Sequence, residues 1–266
     1  MHDHVFAAFL LTSLAGLSTG IGSAIAFFSK RTNTRFLSLS LGFSAGVMIY
    51  VSFAEMMPQA TSLLAGSFGP RVAETIRILC FLGGMGVSLL IDRLVPEEEN
   101  PHEARSVEEY SQSPEQRHKL MRLGLFSALA ITIHNFPEGI ATFAATLSDV
   151  SLGGTIAAAV AIHNIPEGIA VSVPIYFATG SRRLAFKWSL LSGLAEPLGA
   201  VLAYLILRPF LNDAVLGGLF ASVAGIMVFI SLDELLPTAR EYGEGHFAVY
   251  GTIAGMALMA FGLMFL

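Results

Sequence analysis

IHNFPEGIA at Ile133–Ala141 and IHNIPEGIA at Ile162–Ala170 differ at one position in nine and lie 29 residues apart, each inside a long apolar run. Each copy sets a histidine four residues before a glutamate, His134 with Glu138 and His163 with Glu167. On a helix, residues four apart stand one above the other on a single face. Two such helices facing each other present two imidazoles and two carboxylates. The depths agree. His134 lies about twelve residues past the inner start of its run and His163 about twelve past the outer start of its own, which at ~1.5 Å per residue puts both some 18 Å in. Glu196, about twelve residues into a later run, reaches the same level.

The surroundings explain why such a level exists. The chain has 266 residues, 54% hydrophobic and only 13% charged, with a mean hydropathy of +0.67. A soluble domain carries about a quarter charged residues. Twelve of the 35 charges fall between Asp92 and Lys119, which leaves the other 238 residues sparsely charged. This composition excludes an ordinary cytosolic enzyme and a disordered regulator. A net charge of -5 offers no basic face for nucleic acid. The reading is an all-α polytopic membrane protein whose single transmembrane domain covers residues 1–266. Cys80, the only cysteine, sits in an apolar run as a small hydrophobe and forms no intramolecular disulfide.

A hydrocarbon core of ~30 Å needs about 20 helical residues. Eight runs qualify: Val5 to Phe28, Phe36 to Met57, Ile78 to Val95, Leu123 to Leu147, Ser151 to Phe177, Leu184 to Leu207, Ala214 to Leu236 and Phe247 to Leu266. The first is too long, and too poor in preceding basic residues, for a signal peptide, and is read as retained. With the N-terminus outside, twelve of the 15 Lys and Arg residues face inward, leaving Arg71, Arg77 and Arg208 outside. Positive charge collects on cytoplasmic flanks, so both termini are expected to be extracytoplasmic. The acidic segment at about 96–119, with Glu97, Glu98, Glu99, Glu103, Glu108 and Glu109, then faces the cytoplasm as a solvated linker, His102 and His118 included.

A second repeat joins GVMIYVSFAEMMPQA from Gly46 to GIMVFISLDELLPTA from Gly225, matching Glu55 to Glu234 and Pro58 to Pro237. LAGLSTGIG from Leu14 resembles LSGLAEPLG from Leu191, and GGM at Gly83 resembles AGM at Ala254. Spans one to three map onto six to eight around a central pair, a 3+2+3 arrangement. Three helices per repeat reverse its direction, giving the inverted repeats of alternating access around a midplane site.

A carboxylate at mid-depth is costly and persists only with a partner or beside water. No Lys or Arg lies in the middle of any span to pair with Glu138, Glu167 or Glu196. An external cation or a proton fills that role. Two His and two Glu suit zinc and its neighbours, and two carboxylates neutralise a divalent ion. Pro137 and Pro166 remove backbone donors and free the carbonyls of Ile133 and Ile162, which is tolerated deep in a membrane only beside protein or a hydrated cavity. Asn135 and Asn164, each three residues before a Glu, can form a second, oxygen-rich position with Glu138, Glu167 and Glu196, the glutamates bridging two metals. The competing reading is a static interface held by His–Glu and Asn hydrogen bonds.

Other groups carry two readings each. Met48 is a soft ligand or core packing. Glu55, Asp233 and Glu234 are entrance and exit ligands or helix-end carboxylates. His2, Asp3 and His4 gather metal outside or form a disordered terminus, and His246 is an interfacial residue. Gly16 with Gly20, Gly42 with Gly46 and Gly251 with Gly255 have the spacing of close helix packing within the chain.

HNFPEG and HNIPEG on consecutive central helices resemble the signature of the ZIP (Zrt/Irt-like) divalent-metal transporters, and the compact length resembles the bacterial ZupT-like branch. The resemblance covers the whole chain. It implies uptake of zinc, and of Fe2+, Mn2+, Co2+ or Cd2+, across the cytoplasmic membrane of a bacterium, by a homodimer that needs no cofactor. It places the primary metal site on His134, Glu138, His163 and Glu167, and a neighbouring one on Asn135, Asn164 and Glu196. The chain departs from many relatives in lacking a His-rich inner loop, and from some in having Asn164 where they have an acid.

Two functions of other classes compete. An intramembrane zinc hydrolase would use His and Glu to activate water, but the chain has no HExxH and no Ser or Cys nucleophile partnered with these groups. A metal-gated channel or receptor would bind without net transport. The lack of a Gly-rich phosphate loop before a Lys argues against ATP drive.

Overall fold

In the computed structural model, which describes residues 4–26, 34–94, 114–210, 212–242 and 246–264, all regular structure among the described residues is helical. In chain order the elements are α1 (Val5–Ala26), α2 (Thr34–Val51), a π-helical segment Ser52–Met56, α3 (Met57–Phe68), α4 (Pro70–Leu94), α5 (Pro114–Ser148), α6 (Val150–Thr179), α7 (Arg182–Gly193) and α8 (Ala195–Leu202). After a π segment Ala203–Leu207 and a 3-10 turn Arg208–Phe210 come α9 (Asp213–Ile230), a π segment Ser231–Leu235, α10 (Leu236–Tyr242) and α11 (Phe247–Gly262). Asp149, Ser181 and Asn212 start α6, α7 and α9 by accepting from the backbone N–H three residues on. Gly69 and Gly180 end α3 and α6 at φ 77° and 68°, which a side chain would resist.

Six helices among the described residues are long and apolar enough to cross a membrane, and α11 is a shorter apolar helix. The expected fourth span lies on α5, which carries more polar residues and begins at Pro114 rather than Leu123. The second runs on through the π segment to Phe68, and the third begins at Pro70. Helical hydrogen bonding continues past the hydrocarbon limit that the apolar runs mark, so the helices outlast the spans. The sixth is not one helix. It breaks at Leu194, where Pro197 has no N–H for the Gly193 carbonyl, and α8 restarts with Glu196 in its first turn. The expected linker falls outside the described residues up to 113, as do His2, Asp3 and His102.

The helices sort into two groups. In one, α1 packs on α6, α7 and α8, and α5 on α6 and α8. In the other, α2 packs on α11 and α10, and α9 on α3 and α4. Lipid supplies no hydrophobic drive between helices, so close backbone approach does the work. A Cβ on Gly42 would stand 2.2 Å from the Ala248 carbonyl oxygen, and one on Gly255 2.2 Å from that of Phe43, so α2 and α11 meet backbone to backbone. The small-residue spacing is thus spent inside the chain. Leu79, Leu82 and Leu90 on α4 are 64%, 55% and 62% exposed, an apolar outer face that suits lipid. The chain is a multi-pass membrane protein.

Candidate metal centre

His134, Asn135 and Glu138 stand on α5 and His163, Asn164 and Glu167 on α6, at matching heights of two packed helices. All six, with Glu196, are buried, the most exposed being His134 at 4%. The helices run through Pro137 and Pro166 without a break. The pairing crosses between helices. His134 Nε2 lies 3.1 Å from Glu167 Oε1, and His163 Nε2 lies 3.2 Å from Glu138 Oε2. Spacing of four sets each His and Glu on one face, but the opposed helix supplies each partner.

Glu196 accepts a short hydrogen bond from Asn164 Nδ2, which also donates to the Ala15 carbonyl at 3.0 Å. Asn135 Nδ2 donates to the Ser192 carbonyl at 3.4 Å, tying α5 to α7. Both Asn carbonyl oxygens, both imidazole Nδ1 atoms and one oxygen of each glutamate have no hydrogen-bond partner among the described residues. Unpaired buried acceptors cost about 1–3 kcal/mol each. A cation is one remedy for seven oxygens and nitrogens gathered so. As they stand, no three His, Cys, Asp or Glu side chains among the described residues converge closely enough to enclose an ion. The two His–Glu pairs satisfy each other instead, and opening them is the step that frees Nε2 and the carboxylate oxygens.

Glycines fix the spacing. A Cβ on Gly139 would stand 2.1 Å from the carbonyl oxygen of Glu196, and one on Gly168 1.9 Å from that of Thr19. The G of each HNxPEG motif thus lets α8 or α1 lie directly on the site helix. Ser44 of α2, for which the sequence gives no signal, donates to the His163 carbonyl at 3.4 Å and ties the site to the other helix group.

A cavity of about 660 Å³, counting its open mouth, lies between α4, α5 and α9. Its walls are mostly apolar, and its polar lining is Ser88, Asp92, His134 and Glu234. Glu234 is near enough to act on His134 electrostatically. Asp233, the neighbouring candidate, is exposed and does not line it. Glu55 lies elsewhere, in the Ser52–Met56 segment. Met48 is fully buried in the main apolar core, with Val51, Ala144 and Ile156.

The family model described as ZIP Zinc transporter matches residues 93–262, most of the chain and all seven residues above. The chain belongs to the ZIP family. It is 59% identical over 264 residues to the zinc transporter ZupT of Streptococcus mutans, covering 99% of both chains. To that of Clostridium perfringens it is 57% identical over 275 residues, covering 98% of this chain and 96% of the relative. To that of Oceanobacillus iheyensis it is 59% identical over 266 residues, covering 99% of each. The chain is a transporter rather than an enzyme, which sets the intramembrane hydrolase aside.

Proposed function

We propose that the chain takes zinc into the cell across the cytoplasmic membrane, binding the ion between His134, Glu138, His163 and Glu167. The observation that carries this is the pair of cross-helix His–Glu contacts, buried at one height in a membrane-embedded bundle. The relatives bearing the name zinc transporter align over nearly their whole length, motif helices included. An imidazole–carboxylate contact holds a proton between nitrogen and oxygen. An ion replaces it, with Nδ1, unengaged in both histidines, accepting the hydrogen that Nε2 gives up, or with the proton leaving to water.

Asn135, Asn164 and Glu196 form the adjoining, oxygen-rich position, Glu138 and Glu167 being shared. Glu138 and Glu167 both repel negative charge on Glu196, a repulsion that a second cation relieves. Fe2+, Mn2+, Co2+ and Cd2+ accept the same ligands and compete with zinc. Eight passes, two extracytoplasmic termini and a homodimer complete the reading. With that orientation the cavity beneath His134 faces the cytoplasm, and the conformation is the releasing one.

Purified protein in liposomes loaded with a zinc-sensitive dye tests this. Zinc-dependent signal inside, lost on Glu138→Ala with protein still inserted, is expected. Binding without flux would mark a receptor, and flux through inserted Glu138→Ala would overturn the site.

A further inference from the structure

The alignment of LAGLSTGIG with LSGLAEPLG pairs Ala15, Gly16, Thr19 and Gly22 of α1 with Ser192, Gly193, Glu196 and Gly199 of α7 and α8. The 29-residue repeat pairs Asn135, Phe136 and Gly139 of α5 with Asn164, Ile165 and Gly168 of α6. The contacts between these segments follow the same pairing. A Cβ on Gly22 would stand 1.9 Å from the Ile165 carbonyl oxygen, and one on Gly199 2.3 Å from that of Phe136. Gly168 faces the Thr19 carbonyl as Gly139 faces that of Glu196, and Gly16 and Gly193 face each other's. Asn164 Nδ2 donates to the Ala15 carbonyl as Asn135 Nδ2 donates to that of Ser192. Helix α1 therefore lies on α6 as α7 and α8 lie on α5. Thr19 is the counterpart of Glu196 in space as well as in sequence.

At one point the match is incomplete. Asn164 Nδ2 also donates to Glu196, and the corresponding pair on the other side is Asn135 with Thr19. Both residues are fully buried, yet Asn135 Oδ1 and Thr19 Oγ1 have no hydrogen-bond partner among the described residues. A threonine inside a helix can turn its hydroxyl back to the carbonyl four residues earlier, as Thr12, Thr132 and Thr146 do. For Thr19 that carbonyl belongs to Ala15, and it already accepts from Ser18 Oγ at 2.6 Å and Asn164 Nδ2 at 3.0 Å. Two bonds fill its lone pairs. The Thr19 hydroxyl lies instead against Gly193, 2.7 Å from where a Cβ would stand, next in the chain to the Ser192 carbonyl that holds Asn135. Orphaned oxygens in a buried setting are costly, and neutral oxygens of this kind suit hard divalent cations.

We propose that Thr19 is a further residue of the oxygen-rich position, its hydroxyl oxygen and Asn135 Oδ1 supplying the uncharged side of a ligand shell whose charged side is Glu196. This rests on the two-position reading above and adds a ligand on α1, which carries none of the other seven residues. It also gives the asymmetry a purpose. Glu138, Glu167 and Glu196 leave two divalent ions one charge short of neutral, which favours release. A carboxylate at position 19 would complete neutrality and hold them.

Calorimetric titration of the purified protein with zinc tests this, with the melting temperature of the metal-free protein measured beside it. Thr19→Val keeps the shape and removes the oxygen, and is expected to weaken the second equivalent about ten-fold and the first less than about two-fold. Thr19→Ser keeps the oxygen and is expected to stay within about three-fold of the wild type. Thr19→Glu is expected to tighten the second equivalent and slow uptake. Because the two residues are counterparts, the weaker second equivalent of Glu196→Thr is expected to recover when Thr19→Glu is added. A hydroxyl that serves packing alone would leave the second equivalent of Thr19→Val unchanged while the melting temperature shifts, and that result overturns the proposal. A Glu196→Thr defect that Thr19→Glu leaves unrepaired overturns it too. A single zinc equivalent in the wild type overturns the two-position reading and the proposal together, whereas two equivalents with Thr19→Val unaffected overturn the proposal alone.

Discussion

Replacing Gly139 by alanine adds one methyl group where α5 and α8 touch. Its Cβ would lie 2.1 Å from the Glu196 carbonyl oxygen and 2.6 Å from the carbonyl carbon and Cα of the same residue. Ordinary contact begins at 3.4 Å, so α8 must retreat by about 1.3 Å. All three obstacles are backbone, so no side-chain rotation relieves them. Overpacking of this kind costs about 1–3 kcal/mol, offset by up to about 1 kcal/mol that alanine gains over glycine inside a helix. The larger effect is on the site, because the retreating backbone is that of Glu196 itself. A displacement of about 1 Å in an organised site can cost about a hundred-fold in rate, and a loss of zinc uptake between about ten- and a hundred-fold is expected here. Uptake per inserted molecule is the assay, with thermal stability in detergent beside it. Gly154→Ala is the control, since nothing lies within 4 Å of its added Cβ. A Gly139→Ala protein that matches Gly154→Ala in both measurements would refute the argument that motif glycines set the reach of Glu196.

Three further outcomes are expected. Glu167→Ala, measured by uptake in membranes shown to contain the protein, abolishes transport, because it strips His134 of its partner and the site of a charge. Glu196→Gln changes rate or metal preference more than binding of the first ion, and complete loss of one bound equivalent by metal analysis would contradict the assignment to two positions. Zinc affinity of the purified protein falls as pH drops from roughly 7.5 to 5.5, because His ligates only as neutral imidazole and has a reference pKa of ~6.5. Acid therefore favours the proton-holding His–Glu pairs over the metal-bound form, and constant affinity across that range would exclude both histidines as ligands.

What the sequence carries about this site is composition, spacing and depth. The two HNxPEG copies supply six of the seven candidates, and depth adds Glu196, because an apolar medium makes every buried charge conspicuous. Partnership is less legible. The spacing puts His134 over Glu138, yet each His meets the glutamate of the opposed helix, which only the packing of α5 on α6 decides. Proline is equally ambiguous: Pro137 and Pro166 leave their helices continuous, Pro197 follows a break, and Pro58 and Pro237 follow π segments. The same missing donor thus has three outcomes in one chain. Asp92, which the sequence marks only as the start of a charged stretch, lines the cavity. Helix ends go unread because hydropathy marks where lipid stops, and hydrogen bonding continues further.

One such extension has a practical use. α5 is 35 residues long, about 52 Å at ~1.5 Å per residue, against a hydrocarbon core of ~30 Å. Its early part, from exposed His118 to His134, is helix uninterrupted by proline, some 24 Å of stiff rod. Any tilt or slide at the buried imidazole is carried undiminished to a surface position that a spectroscopic label can occupy. The molecule thus has a pointer fixed to the proposed metal-binding residues, and distances measured from position 118 would record each stage of a transport cycle without touching the site.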